Sequence, residues 1–339
     1  METWIWATLA AAFLQNLRSA LQKAINGRLS SAGAAYVRFF YAWPFAIAYC
    51  ASLLWWTGEP MPSVSPAFFG WVMAGGVVQI GFTVLLMWMF SFRSFAVGTV
   101  FSKLEIVIVA IAGALLLGDA LSLLAWFAVF CAAVGLLLLS LKDTSLHATA
   151  LREGLTSPAT AIGLLCAACL GLSGVFFRGA TLSIPDSTFL VRAAFSLAVV
   201  LVFQTIIMGA WFWWKDRVQL FAVITAWRPA LPIGIVGMAC SVGWFTAFAL
   251  QNAAHIRAVG QVELLFTLAV GWLWFKESVT WTEMAGIILI SAAVMLLVLA
   301  GSPAATFAAM SIDSMECSAM RMAGWRFSIV SRSARFTAT

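Results

Sequence analysis

Two glutamates stand at matching positions in segments that are otherwise apolar, and their side chains are well suited to chemistry. Glu105 and Glu263 are 158 residues apart, and each is followed 14 residues later by a second acid. A carboxylate is costly inside an apolar segment of this length, so such groups face protein or a water-filled cavity. There they would bind a proton or the cationic group of a substrate. The alternative is an ion pair or hydrogen bond that fixes the packing of two helices.

Small residues recur at helical spacing beside each glutamate. They are Gly98, Ser102 and Gly113 in the first segment, and Gly260, Thr267 and Gly271 in the second. Such stripes let helices approach closely and point away from lipid. Lys103 and Gln261 each precede a glutamate by two residues and therefore lie off its face. Both are candidate ligand contacts on the flank of a cavity, and Lys103 could instead pair with another helix.

The first apolar segment carries a polar stripe of its own, which a helix facing lipid would not tolerate. Its members are Gln15, Arg18, Ser19, Gln22 and Asn26. This segment is therefore expected to line the protein interior. Arg18 would pair with a glutamate across the cavity or hold an anionic substrate. Arg38 and Arg192 lie about six residues inside later segments, deep enough to need polar partners.

The elements that must position these side chains are membrane-spanning helices. Hydrophobic residues make up 63% of the 339-residue chain and charged residues only 9%, against about 25% charged in a soluble domain. Runs that are apolar on every face exclude the alternating pattern of a membrane barrel. The net charge of +6 fits loops that meet anionic headgroups, so it does not indicate a nucleic-acid partner. We predict an all-α integral membrane protein with ten transmembrane helices, near residues 3–24, 33–56, 67–90, 95–117, 121–141, 158–180, 187–213, 230–251, 257–275 and 281–300.

The chain also repeats itself internally. Shifted by 158 residues, the stretch from Ala96 to Leu139 aligns with the later half without gaps, and Glu105 falls on Glu263. Two halves of five spans each, an odd number, must enter the membrane in opposite senses, as inverted repeats do in secondary transporters. The predicted units are a five-helix repeat over 1–145, a second over 146–300, and a polar, flexible tail over 301–339.

Enzyme and cofactor motifs are missing from the sequence. It contains no HExxH, GxSxG or Walker-type loop, and its two histidines lie in or near predicted loops. The pair Cys166 and Cys169 lies in an apolar helix, where small packing residues are the expected reading. We therefore predict no catalytic residue, cofactor or metal site. Without a nucleotide site, transport would draw on ion or substrate gradients, and a membrane enzyme or receptor remains the alternative from another class.

The end of each half resembles the EamA-domain permeases of the drug/metabolite transporter superfamily. The resemblance covers residues 3–300 and depends on an acid followed by Ser or Thr: Gly118-Asp119-Ala120-Leu121-Ser122 after Glu105, and Lys276-Glu277-Ser278-Val279-Thr280 after Glu263. Arg38, early in the second span, also fits the family. The resemblance implies a multi-pass permease in a bacterial inner membrane, as a monomer or homodimer. It would move a small metabolite, such as an amino acid or related compound, outward and in a proton-coupled manner. A multidrug exporter of the same fold is the alternative.

Overall fold

Helices follow directly from the apolar runs, because a backbone in lipid must satisfy its hydrogen bonds internally. The computed structural model describes residues 2–25, 28–89, 104–119, 121–140, 158–263 and 281–300, and within these ranges it contains helices and no strand. In chain order the helices are α1 Thr3–Ile25, α2 Ser31–Phe40, α3 Trp43–Thr57, α4 Pro66–Met89, α5 Glu105–Leu117, α6 Leu123–Ser140, α7 Pro158–Leu182, α8 Phe189–Lys215, α9 Arg217–Thr225, α10 Trp227–Leu250, α11 Ala253–Gly260 and α12 Trp281–Ala300. The all-helical prediction is confirmed for these residues.

Five stretches of the described chain are long and apolar enough to cross a membrane. They are Ser31–Thr57, Pro66–Trp88, Ala161–Leu182, Phe189–Lys215 and Trp227–Leu250, and shorter apolar stretches occur in α5, α6 and α12. α1 has 23 residues but is not among the five, because its polar stripe lowers its hydropathy. The predicted spans 95–117 and 257–275 lie partly outside the described residues. The number of ten spans and the opposite sense of the two halves therefore stay predictions.

The predicted span over 33–56 is divided into two helices. α2 ends at Phe40, and α3 begins at Trp43 with Pro44 in its first turn. Proline is favoured at the start of a helix, where its missing N–H has no intrahelical partner to lose. The short connection places Tyr41 in close contact with α10. A Cβ atom added to Gly234 of α10 would lie 2.6 Å from the carbonyl carbon of Tyr41. This contact requires glycine at position 234.

A second break separates α10 from α11 and shapes the candidate site. α10 ends at Leu250, Gln251 adopts an extended backbone, and α11 begins at Ala253. α11 therefore begins four residues before the predicted start of the ninth span, and Arg257 lies inside a helix instead of at its first residue. α5, which contacts α11, ends at Leu117 and is followed by Gly118, whose φ of 66° is left-handed. That turn lets the Asp119 N–H donate to the carbonyl of Gly113 at 3.2 Å, which satisfies a helix-end carbonyl.

Helices of the first half pack mainly against helices of the second half. α1 packs along α10 and also touches α11, while α4 packs along α7, which also touches α5. α5 and α11 contact each other, and α8 packs against α2 and α3. Small residues allow the closest approaches: an ideal Cβ on Gly243 would lie 2.8 Å from the carbonyl oxygen of Ala7. The described residues up to Leu297 form one compact unit. The predicted boundary between repeats at 145/146 and the tail over 301–339 lie outside the described residues.

Candidate functional site

A cavity lies where α1, α2, α4, α7, α10 and α11 meet, and three arginines line it. Arg18 comes from α1, Arg38 from α2 and Arg257 from α11. All three side chains are buried, with 3%, 6% and 5% of their surface exposed. The cavity volume is about 20 Å³, which is room for about one water molecule. The other lining residues are Gln15, Gln79, Phe82, Leu170, Phe177, Ser241, Trp244, Phe245 and Phe248.

Arg18 reaches the cavity beside a glycine. An ideal Cβ on Gly237 would lie 3.3 Å from Cδ of Arg18 and 3.8 Å from Cγ of Arg38, so both arginine stems pass over this one position of α10. Nη1 of Arg18 donates to the Cys240 thiol at 3.9 Å, a weak acceptor. Its Nε has no hydrogen-bond partner within the described ranges. The predicted pairing of Arg18 with a glutamate is not found among these residues.

Arg38 is held by α4. Its Nη1 donates to Oγ1 of Thr83 at 3.2 Å, and that hydroxyl donates in turn to the carbonyl of Gln79 at 2.9 Å. The guanidinium carbon also lies 5.4 Å from the centre of the Phe39 ring. Because a guanidinium has five donors, these contacts orient Arg38 without using its full capacity.

Arg257 lies against an aromatic surface of α10. Its guanidinium carbon is 4.6 Å from the centre of the Trp244 ring and 5.7 Å from that of Phe248. These two rings are themselves stacked, with centres 6.1 Å apart and planes 23° from parallel. Cation–π contacts of this kind fix an arginine without neutralising it. Nε of Arg257 has no hydrogen-bond partner in the part of the chain that the structure describes.

Gln15 joins Glu263 to this aromatic surface. Its amide nitrogen donates to Oε2 of Glu263 at 2.9 Å, and its amide oxygen accepts from the indole N–H of Trp244 at 3.1 Å. Asn16 donates to the backbone carbonyl of Glu263 at 3.1 Å. A continuous path of contacts therefore runs from the Glu263 carboxylate through Gln15 and Trp244 to Arg257. Two neighbouring residues of α1 therefore hold Glu263, one at its carboxylate and one at its backbone carbonyl.

Glu105 is the buried partner in the first half, with 5% of its surface exposed. Gln261 donates to Oε1 of Glu105 at 3.4 Å and to the carbonyl of Arg257 at 3.3 Å. The second half therefore contacts Glu105 through Gln261, the residue that aligns with Lys103 in the repeat. Lys103 itself lies outside the described residues. Neither Glu105 nor Gln261 is among the described residues that line the cavity.

Two further predicted site residues, Gln22 and Arg192, also lie apart from the cavity. Gln22 is buried and donates to the carbonyl of Ala34 at 3.1 Å, which ties α1 to α2. Arg192, near the start of α8, donates to the carbonyl of Ala249 at 3.4 Å. Neither side chain lines the described cavity. Both contacts join neighbouring helices.

Sequence reasoning missed the strongest ion pair among the described residues. Arg178 of α7 makes a two-pronged contact with Asp119, with Nε to Oδ2 at 2.8 Å and Nη2 to Oδ1 at 3.1 Å. Nη2 also donates to Oδ1 of Asn252 at 2.9 Å, and Nη1 donates to the carbonyl of Phe248 at 3.1 Å. The arginine thus satisfies a carbonyl freed where α10 ends. From the sequence, Asp119 was assigned only to the signature of an acid followed by Ser or Thr at the end of the first half.

Arg257 and Trp244 were not singled out from the sequence either. Arg257 had been placed at the first residue of a span starting at 257, which made it a loop cation. Moving the start to Ala253 would have identified a buried arginine by the same reasoning that identified Arg18. Trp244 had no such signal, because one tryptophan among 17 is unremarkable in a membrane protein.

Comparisons with known proteins agree with this architecture. The model of the EamA-like transporter family, part of the drug/metabolite transporter superfamily, matches residues 158–299. A solved crystal structure has the same fold, with a TM-score of 0.61; the superposition covers 88% of this chain and 96% of the other, at 15% identity. No curated protein sequence matches the chain. The family match and the apolar helices establish a multi-pass integral membrane protein.

Proposed function

We propose that this chain, whose second half is an EamA-like transporter domain, is a secondary transporter that exports a small metabolite such as an amino acid or a related compound. The observation that carries the proposal is the cavity between the halves, which side chains from both halves line and which three buried arginines face. Groups this costly to bury are kept inside a membrane protein chiefly for a substrate or ion path. The transporter would act in a bacterial inner membrane.

Alternating access follows from how the helices pack. The first predicted span of each half packs on the third predicted span of the other half: α1 on α10, and α7 on α4. This reciprocal packing of the two halves supports an arrangement of two inverted repeats that rock about a central site. A cavity of about 20 Å³ holds about one water molecule, so a metabolite enters only after the halves separate at one side. Arg18, Arg38 and Arg257 all belong to one chain, so a monomer suffices and a homodimer would carry two cavities.

Glu263 and Glu105 are the proposed proton sites. Glu263 is coupled to the cavity through Gln15, whose amide contacts both the carboxylate and Trp244. Protonation of Glu263 removes the negative charge that the Gln15 amide stabilises. It therefore weakens the contact between α1 and the residues that follow α11. Glu105 is coupled through Gln261 to the backbone of α11. Proton binding at either carboxylate would therefore change how the two halves contact each other.

Glu263→Gln and Glu105→Gln are expected to abolish the accumulation of substrate that a pH gradient drives. Exchange of substrate across the membrane at equal pH on both sides should continue. Glutamine keeps the shape and one acceptor oxygen but cannot bind a proton at neutral pH. The assay is proteoliposomes with an imposed pH gradient and an isotope-labelled mixture of amino acids, read by mass spectrometry. Glu59→Gln is the matched control, because Glu59 lies in the loop after α3, where it accepts from the N–H of Thr188. If the Glu105 and Glu263 variants, both correctly folded, accumulate substrate like the wild type, these proton sites are wrong.

A multidrug exporter of cationic aromatic compounds fits the same fold less well. The aromatic wall of the cavity would suit such compounds. The three arginines would repel their positive charge at close range, and no acidic side chain is among the described residues that line the cavity.

A further inference from the structure

We infer that the substrate of this cavity is an organic anion with a planar, apolar body. Its acidic group, a carboxylate or a phosphate, is held by Arg18, Arg38 and Arg257, and its planar part lies against Trp244 and the neighbouring phenylalanines. The inference rests on the proposed transport function, and it specifies the chemical class of the substrate that the cavity binds.

The charge of the cavity is the first argument. Guanidinium groups stay protonated in proteins, so three positive charges face one small space. The polar groups beside them in the described lining are amides, a hydroxyl and an indole N–H, which are neutral. Like charges at this depth repel strongly, and a buried charge is costly until it is paired. An incoming anion supplies the missing negative charge, whereas a cation would add to the repulsion.

Unused hydrogen-bond donors are the second argument. Nε of Arg18 and Nε of Arg257 are buried and have no hydrogen-bond partner in the described parts of the chain. A buried donor without a partner is costly. The planar fork of a guanidinium matches the two oxygens of a carboxylate or phosphate. The stems of Arg18 and Arg38 converge at Gly237, so an oxyanion can meet more than one fork.

The aromatic wall is the third argument. Phe177 and Phe245 face the cavity with ring centres 4.8 Å apart, and Trp244 stacks on Phe248 beside them. Arg257 lies on these last two rings, so the anion site and the aromatic wall are adjacent. A planar group in this position would gain stacking and apolar burial. Leu170 and Phe82 extend the apolar surface on the α7 and α4 sides.

Neither Glu105 nor Glu263 places a negative charge inside the cavity to bind a positive group of the substrate. Oε2 of Glu263 is held by Gln15, and Oε1 of Glu105 is contacted by Gln261. Neither glutamate is among the described lining residues. An ammonium group on the substrate would therefore find no acidic partner there, so among amino acids and related compounds the cavity favours those that carry a net negative charge.

The test is equilibrium binding to the purified full chain in detergent, measured by isothermal titration calorimetry. The probes are indole-3-acetate, phenyl phosphate and tryptamine, which share a planar ring and differ in charge. We expect the two anions to bind and tryptamine not to bind, and the tighter anion identifies the acidic group. Arg257→Gln is expected to weaken anion binding by about tenfold or more, the effect of losing a charged hydrogen bond. Arg257→Lys keeps the positive charge but loses the paired N–H donors of the guanidinium. Its affinity for the anions should lie between that of the wild type and that of Arg257→Gln.

Arg228→Gln is the matched control. Arg228 is exposed at the start of α10, where its guanidinium carbon lies 5.4 Å from the centre of the Trp227 ring, and it is not among the described residues that line the cavity, so its variant should bind like the wild type. Tryptamine binding tighter than either anion, or unaltered anion binding in both Arg257 variants, would overturn the inference. Binding is measured without flux, which separates it from the transport proposal. Anion binding without flux in proteoliposomes would reject the transport proposal and support the anion site. Flux of a cation alone would support transport and reject the anion site.

Discussion

Asp119→Asn is expected to lower the free energy of unfolding by about 3 kcal/mol, as removal of one partner from a buried ion pair does. Asp119 and Arg178 have only 13% and 11% of their side-chain surface exposed, and two hydrogen bonds join them. Asparagine keeps one acceptor but turns an amide N–H₂ or a neutral oxygen toward the guanidinium. Arg178 would then be left charged at the junction of α5, α7 and the α10–α11 break. The measurement is thermal and denaturant unfolding of the purified protein.

Two further variants show whether the loss belongs to the ion pair. Asp186→Asn removes an exposed loop carboxylate and is expected to change stability by less than about 0.5 kcal/mol. In a double-mutant cycle with Arg178→Gln, the second substitution should cost less when Asp119 is already asparagine. Strictly additive losses would mean that the two side chains are not coupled and that the bridge does not hold this end of the molecule together.

Gly234→Ala is expected to destabilise the fold by about 3 kcal/mol or more, the upper range for overpacking in a close-packed interior. The added Cβ would lie 2.6 Å from both the carbonyl carbon and the carbonyl oxygen of Tyr41. These are backbone atoms, so the contact cannot be relieved by turning a side chain. Tyr41 is also anchored, because its single hydroxyl hydrogen is within reach of two carbonyl oxygens, those of Val223 at 2.9 Å and Ile224 at 3.0 Å. We expect less folded protein on size exclusion and a lower melting temperature.

Gly70→Ala provides the comparison, since a Cβ at Gly70 of α4 would meet nothing within 4 Å. Alanine favours a helix over glycine by about 1 kcal/mol, so this variant should be as stable as the wild type or slightly more so. Equal behaviour of the two variants would show that α10 can move away from Tyr41 without loss.

The helices were predictable from the sequence because lipid demands long apolar runs, and charged or breaker residues bound those runs. The breaks inside them were not. Tyr41 and Ala42 interrupt one apolar stretch, and the only local sign is Pro44, which a helix also tolerates in its first turn. The end of α10 at Leu250 lies within one residue of the predicted end at 251, but α11 begins at Ala253, four residues before the predicted start at 257. Such breaks depend on distant contacts, for example those of Arg178 with the carbonyls at the end of α10.

The candidate site was predictable in its polar members and not in its aromatic ones. Arg18, Arg38 and Gln15 stand out because polar groups are rare and costly in apolar segments, and all three line the cavity. Glu105 and Glu263 stand out equally, yet they lie behind the lining, where Gln261 and Gln15 contact them. One-dimensional spacing shows which helix face a residue shares. It does not show which of several inward faces borders the open space.

The packing of α1 on α10 also determines when α1 can settle in the membrane during synthesis. α1 starts at Thr3, while α10 starts at Trp227, so most of the chain is made before the two can meet. Until then α10 cannot cover the stripe with Gln15, Asn16 and Arg18, and α1 is less apolar than the five stretches that could cross a membrane. We therefore expect burial of this stripe to be a late step of folding, which the second half of the chain completes.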